Sequence, residues 1–174
     1  MKTLQYTLLS SIALGVLLLI AGNCNRPTGR LVEREDHGFR AVFPGPVAEK
    51  KESIEAGETK TDVIHFLHVR WDEQYELSIN SLPGASTASG SEAAMRTTME
   101  HMIQRYRGQL ERKQTVRSGG IEGSDITVRT GGGGLIRTRL FEKDGKLYIA
   151  TARVRGGEEM EARAHRFIDS MELL

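Results

Sequence analysis

Gln109–Arg155 reads QLERKQTVRSGGIEGSDITVRTGGGGLIRTRLFEKDGKLYIATARVR, and its glycine punctuation decides the fold. Four strand-length segments, Gln109–Arg117, Ile121–Thr130, Gly134–Lys143 and Lys146–Arg155, are separated by Ser118-Gly119-Gly120, Gly131-Gly132-Gly133 and Asp144-Gly145. None of the four carries a proline. Asp-Gly is the tightest connection, because both residues tolerate the positive φ that a two-residue hairpin turn needs. Loops this short join antiparallel strands, so the stretch is an antiparallel meander.

Working outward, the segment just before the meander changes period. Met95, Met99, Met102, Ile103 and Tyr106 recur at helical spacing, while Arg96, Glu100, Gln104 and Arg107 fall elsewhere. Ser89 with Glu92 forms a capping-box signature, and Gly108 supplies a stop. One amphipathic helix is expected, with its methionines on the core face. Further upstream, Tyr75, Leu77 and Ile79 alternate with polar residues, giving a half-buried strand that ends at Leu82-Pro83-Gly84. Asp62–Trp71 (DVIHFLHVRW) is apolar on both faces and predicts a strand internal to the sheet. Val47–Ala56 is polar and edge-like, and Gly38–Phe43 is a strand stopped by Pro44-Gly45-Pro46. Downstream, Gly157-Glu158-Glu159 opens a closing helix whose Met160, Ala164, Phe167, Ile168 and Met171 share one face. Strands, helix, meander, helix in that order give an α+β domain: an antiparallel β-sheet covered by helices.

The strand closing on Phe43-Pro44-Gly45-Pro46, the mid-chain amphipathic helix, the glycine-punctuated meander and the closing Phe167-Ile168-Asp169-Ser170-Met171 together resemble Mog1/PsbP-like domains, over roughly residues 36–174. Small bacterial envelope proteins of unknown function share that layout. The resemblance implies an α/β/α sandwich acting as a binding or assembly module. It brings no catalytic residues with it.

The organisation expected is 1–23 as signal peptide or membrane anchor, 24–35 as tether, and 36–174 as a single domain. Leu8–Ala21 is apolar apart from Ser10, Ser11 and Gly15. It is shorter than the ~20 residues a spanning helix needs and suits a signal-peptide core. The leader ends in Ala21-Gly22-Asn23-Cys24 and resembles a bacterial lipoprotein leader, which makes Cys24 a lipidation site. The Ala-Gly pair lies one residue early and Asn23 stands where a small residue is expected, so plain cleavage or an uncleaved anchor are the alternatives. Cys24 is the only cysteine, which excludes an intrachain disulfide. The expected location is the cell envelope, on the periplasmic or extracellular face, attached to the membrane through the lipid or the leader and open to an envelope protein partner. With 24 Lys+Arg against 23 Asp+Glu, the balance gives no support for nucleic acid as a partner.

The search for chemistry finds no catalytic, metal or cofactor site. His65 and His68 are three apart in a strand and so face opposite ways. Glu161 and His165 are half of a metal site without a second pair. Gly131–Gly134 lacks the Gly-Lys-Ser/Thr and the helix that a phosphate loop requires, leaving a long hairpin turn. No Gly-x-Ser-x-Gly nucleophile is present. Trp71 offers a ligand platform, but at the end of an apolar strand it is expected in the core. Arg105, Arg107, Arg112, Lys113 and Arg117 form a local basic excess, an interaction patch for anionic lipid headgroups or an acidic partner. Arg129, Arg137 and Arg139 suggest a second patch on the glycine-rich hairpin. The leading expectation is a non-enzymatic binding module. The alternative is an envelope enzyme or enzyme accessory built on a histidine–carboxylate site.

Overall fold

The computed structural model describes residues 29–56, 59–81, 96–100 and 103–174. Cys24, the leader, Met95, Met102 and the Ser89–Glu92 capping box lie outside them. Two strands open the chain, β1 (Arg30–Arg34) and β2 (Phe39–Phe43), paired antiparallel and joined by a single 3-10 turn at Glu35–His37. β1 occupies a stretch that the sequence assigns to the tether. Its five residues RLVER are largely exposed and too polar to signal a strand, and pairing with β2 is what orders them.

β3 (Ala48–Ala56), β4 (Thr59–Arg70), β5 (Glu73–Ser81), β6 (Gly108–Ser118), β7 (Ile121–Thr130), β8 (Leu135–Lys143) and β9 (Lys146–Val154) make one sheet in the order β3-β4-β5-β9-β8-β7-β6. Every neighbouring pair is antiparallel. The meander is therefore real, and it docks on β5 through its last strand. β4 is bonded on both sides, as its two apolar faces require, and the polar β3 forms the edge. The β8–β9 turn puts both Asp144 (φ 52°) and Gly145 (φ 69°) in the left-handed region, the geometry that the Asp-Gly pair predicts.

The C-terminal helix (Glu158–Asp169) lays Ala164, Phe167 and Ile168 on one face of the sheet. A final short strand, β10 (Glu172–Leu173), pairs with β2. The main core lies between that helix, β2 and the sheet. Its ring contacts run Phe43–Phe167 (4.7 Å), Phe167–Tyr75 (5.5 Å) and Phe39–Phe66 (4.9 Å). On the opposite face Ile126, Val128, Ile136 and Leu140 pack against Met99, Ile103 and Tyr106 from helical residues 96–100 and 103–106. That helix ends one residue earlier than the glycine suggests. Arg107 itself turns left-handed (φ 46°) and Gly108 opens β6, where a Cβ would collide with Val128. Among the described residues, no helix is long and apolar enough to cross a membrane.

Candidate functional site

One end of the large sheet gathers the β4–β5 turn, the β7–β8 turn, the start of β6 and the exit of β9. Between them opens a cleft of about 580 Å³ lined by Trp71, Glu73, Tyr106, Arg107, Arg153 and Arg155 among others. Arg70 pairs with Glu73, so Trp71 and Asp72 are the two residues of a tight hairpin turn. Trp71 has φ 42°, a conformation sparse for any bulky residue, and its side chain projects off the sheet end, 97% exposed. The sequence expectation of a core tryptophan is thus overturned, because β4 stops at Arg70 and Trp71 belongs to the turn. The Asp72 carbonyl accepts from the Arg155 N–H at 2.9 Å and ties the turn to the end of β9. Among the described residues, Trp71, Arg107 and Asp144 are the non-glycine residues with positive φ, and two of the three line this cleft. Strained backbone of that kind concentrates at functional sites.

The cleft is aromatic and cationic. Arg105 and Arg153 both stack their guanidiniums on the Tyr106 ring, at 5.7 and 5.6 Å from its centroid. Arg153 also donates to the Gln74 side-chain carbonyl at 2.8 Å. Among the described residues, no carboxylate lies within ion-pair reach of Arg107 or Arg155. Two carboxylates line the cleft, Asp72 in the turn and Glu73, and Glu73 is already committed. It accepts two bonds from Arg163, at 2.8 and 3.0 Å, and one from the Tyr75 hydroxyl at 2.6 Å. Burial works against its charge, but these donors outweigh it and hold the carboxyl below the usual range. Burial, with Glu73 beside it, pushes the Tyr75 phenol up. The cleft therefore presents guanidinium charge and aromatic surface around a single carboxylate, Asp72, beyond the committed Glu73, an arrangement suited to hold an anion with an apolar portion.

Strand alternation divides the predicted basic patch. Arg112 lies on the C-terminal-helix face of β6, with Gln114 and Val116, and Lys113 and Arg117 lie on the other. Arg112 donates to Gln114, and Arg117 pairs with Glu122 at 3.3 Å. Arg105 and Arg107 belong to the cleft end instead. The second patch is overturned altogether. Arg137 and Arg139 converge on Asp125, which is 2% exposed, and both reach Asp169 on the C-terminal helix. Arg129 is held by Glu111 (3.0 Å) and Glu161 (2.5 Å). These arginines tie the helix to the sheet and leave little free charge. Burial alone would raise the Asp125 pKa, yet Arg137 and Arg139 outweigh it and hold the carboxyl below the usual range.

The histidines separate as expected. His65 Nδ1 lies 2.7 Å from Glu76 and its Nε2 3.2 Å from Glu52, so both ring nitrogens are engaged. His68, on the other face, donates from Nδ1 to the Pro46 carbonyl at 2.8 Å. Glu161 and His165 turn to Arg129 and Arg137 rather than to each other. Gly131–Gly134 is the β7–β8 turn, closed by the Thr130 N–H on the Gly134 carbonyl. Sequence reasoning missed Arg153 and Arg155 entirely. Their alternation across Val154 at a strand end, next to a glycine turn, was the available signal.

No known family profile matches the chain, and no curated protein matches it in sequence. Solved structures do. The cyanobacterial PsbP protein (CyanoP) of Synechocystis sp. PCC 6803 superposes with a TM-score of 0.56 at 11% identity, over 87% of this chain and 96% of that one. The Ran-binding protein Mog1p of Saccharomyces cerevisiae gives 0.46 at 12% identity, over 83% and 95%. A Pseudomonas aeruginosa protein of unknown function gives 0.39 at 11%, over 72% and 82%. The likeness to the cyanobacterial PsbP protein shows the fold, Mog1/PsbP-like and mostly antiparallel sheet with few helices.

Proposed function

We propose that the chain is an exported binding module, not an enzyme, held at a membrane of the cell envelope through Cys24 or its leader and engaging its partner at the Trp71 end of the sheet. The observation that carries this reading is the cleft itself. Beside Asp72, Glu73, Gln74 and Thr130 it is lined by three guanidiniums, Arg107, Arg153 and Arg155, which stay charged at any physiological pH and so bind anions rather than relay protons. Of its two carboxylates Glu73 is locked by Arg163 and Tyr75, and of its two aromatic residues Trp71 is unpacked. The Mog1/PsbP-like fold is compatible with such a role, and the apolar Leu8–Ala21 stretch motivates the attachment.

The test is chemical crosslinking in intact envelopes. Trp71→Ala combined with Arg107→Glu should remove the adducts formed by the native chain, with an unchanged circular dichroism spectrum. Persistence of every adduct in the double variant would place the binding surface elsewhere. An enzyme using His65 is less well supported, because Glu52 and Glu76 occupy both ring nitrogens.

A further inference from the structure

We infer that the Trp71 end of the sheet docks on an anionic phospholipid surface, the same membrane to which the N-terminal segment leads. The inference rests on the attachment proposed above and names the partner of the cleft.

The first support is where the chain leaves the domain. Gly29 lies against Val42 and Phe43, and Arg30 pairs with Phe43, the last residue of β2. Two residues on, Gly45 sits so close to the His68 ring that a Cβ there would collide with it. His68 is in the last turn-proximal part of β4, three residues from Trp71. The described chain therefore begins in the half of the domain nearer the Trp71 turn than the Asp144-Gly145 turn. Cys24 is five residues before Gly29, a span of at most about 18 Å fully extended. Attachment at Cys24 or just before it thus brings this end of the domain close to the bilayer.

The second support is what that end displays. Trp71 is 97% exposed and Val69 beside it 59% exposed, an apolar tip at the rim of the cleft. Tryptophan partitions to the headgroup layer, where its ring sits among glycerol and upper acyl groups while its N–H stays hydrogen-bonded. Around this tip stand Arg107 and Arg155, without carboxylate partners among the described residues, and Arg105 on Tyr106, against the one turn carboxylate of Asp72. The chain as a whole is near neutral, at +1, so this concentration of cations is local. Clustered arginines next to an aromatic tip match phosphate headgroups in charge and depth.

The full chain, reconstituted through its N-terminal segment, tests this directly, because Trp71 is its only tryptophan. Vesicles of phosphatidylcholine are compared with vesicles that also contain phosphatidylglycerol. In the anionic vesicles Trp71 emission should shift to the blue, and acrylamide quenching should fall several-fold. High salt should reverse both effects, as should Arg107→Glu combined with Arg155→Glu, while co-sedimentation with the vesicles persists. Equal quenching in both vesicles, with the chain still sedimenting, would overturn the docking and leave the attachment standing. A chain that sediments with neither vesicle would overturn both. Shielding of Trp71 by soluble polyglutamate but by neither vesicle would overturn the lipid assignment in favour of an acidic protein partner.

Discussion

Trp71 pays a conformational penalty that its position does not repay within the domain. A non-glycine residue at φ 42° costs about 1 kcal/mol, and an indole that is almost wholly exposed recovers little packing. Trp71→Gly should therefore leave stability unchanged or raise it by up to about 1 kcal/mol in urea unfolding, while binding at the cleft is lost. A clear destabilisation would mean that the side chain packs in solution. Asp125 is the opposite kind of residue, since it answers two buried or nearly buried arginines. Asp125→Asn should cost about 3 kcal/mol, because both guanidiniums then depend on the half-exposed Asp169. The pH dependence has a definite sign. The folded-state pKa of Asp125 lies below its unfolded value, so its stabilisation is complete above about pH 4 and drains as the pH falls further. The urea midpoint of the native chain should drop through that acid range, and Asp125→Asn should flatten the drop.

Among the elements, the C-terminal helix matters most to the core. The Phe167 ring touches both Phe43 of β2 and Tyr75 of β5, so it joins the small sheet to the large one. Phe167→Ala should cost about 3–5 kcal/mol, read as a lowered urea midpoint. A loss below 1 kcal/mol would mean that the helix packs loosely. This helix was legible in the sequence because its apolar residues keep a strict 3.6 period, and the meander was legible because glycines separate its strands. What escaped was of two kinds. Short polar strands such as β1 carry no pattern of their own and exist only through pairing. Groupings by nearness in sequence also misled, since alternation sends Arg112 and Lys113 to opposite faces and brings Arg137 and Arg139, twelve and fourteen residues away, onto Asp125. The cleft was illegible for the same reason. Trp71, Tyr106 and the Arg153–Arg155 pair come from three separate places in the chain, and only the register of the strands from β4 across to β6 sets them side by side.

At the scale of the whole molecule, the two ends of the sheet differ in kind. One end holds the tight Asp144-Gly145 turn. The other holds the cleft, the exposed tryptophan and the arginines without carboxylate partners among the described residues, and it is the end nearer to Gly29, where the described chain begins. On the proposed attachment, a cleft beside the tether would meet its partner at the membrane rather than far from it. Photocrosslinking from the two ends in intact envelopes tests this most directly, with a photoreactive residue placed at Gly132 in the β7–β8 turn or at Asp144 in the β8–β9 turn. The account predicts adducts, to lipid or to protein, from Gly132 and little or none from Asp144. Adducts arising mainly from Asp144 would contradict it.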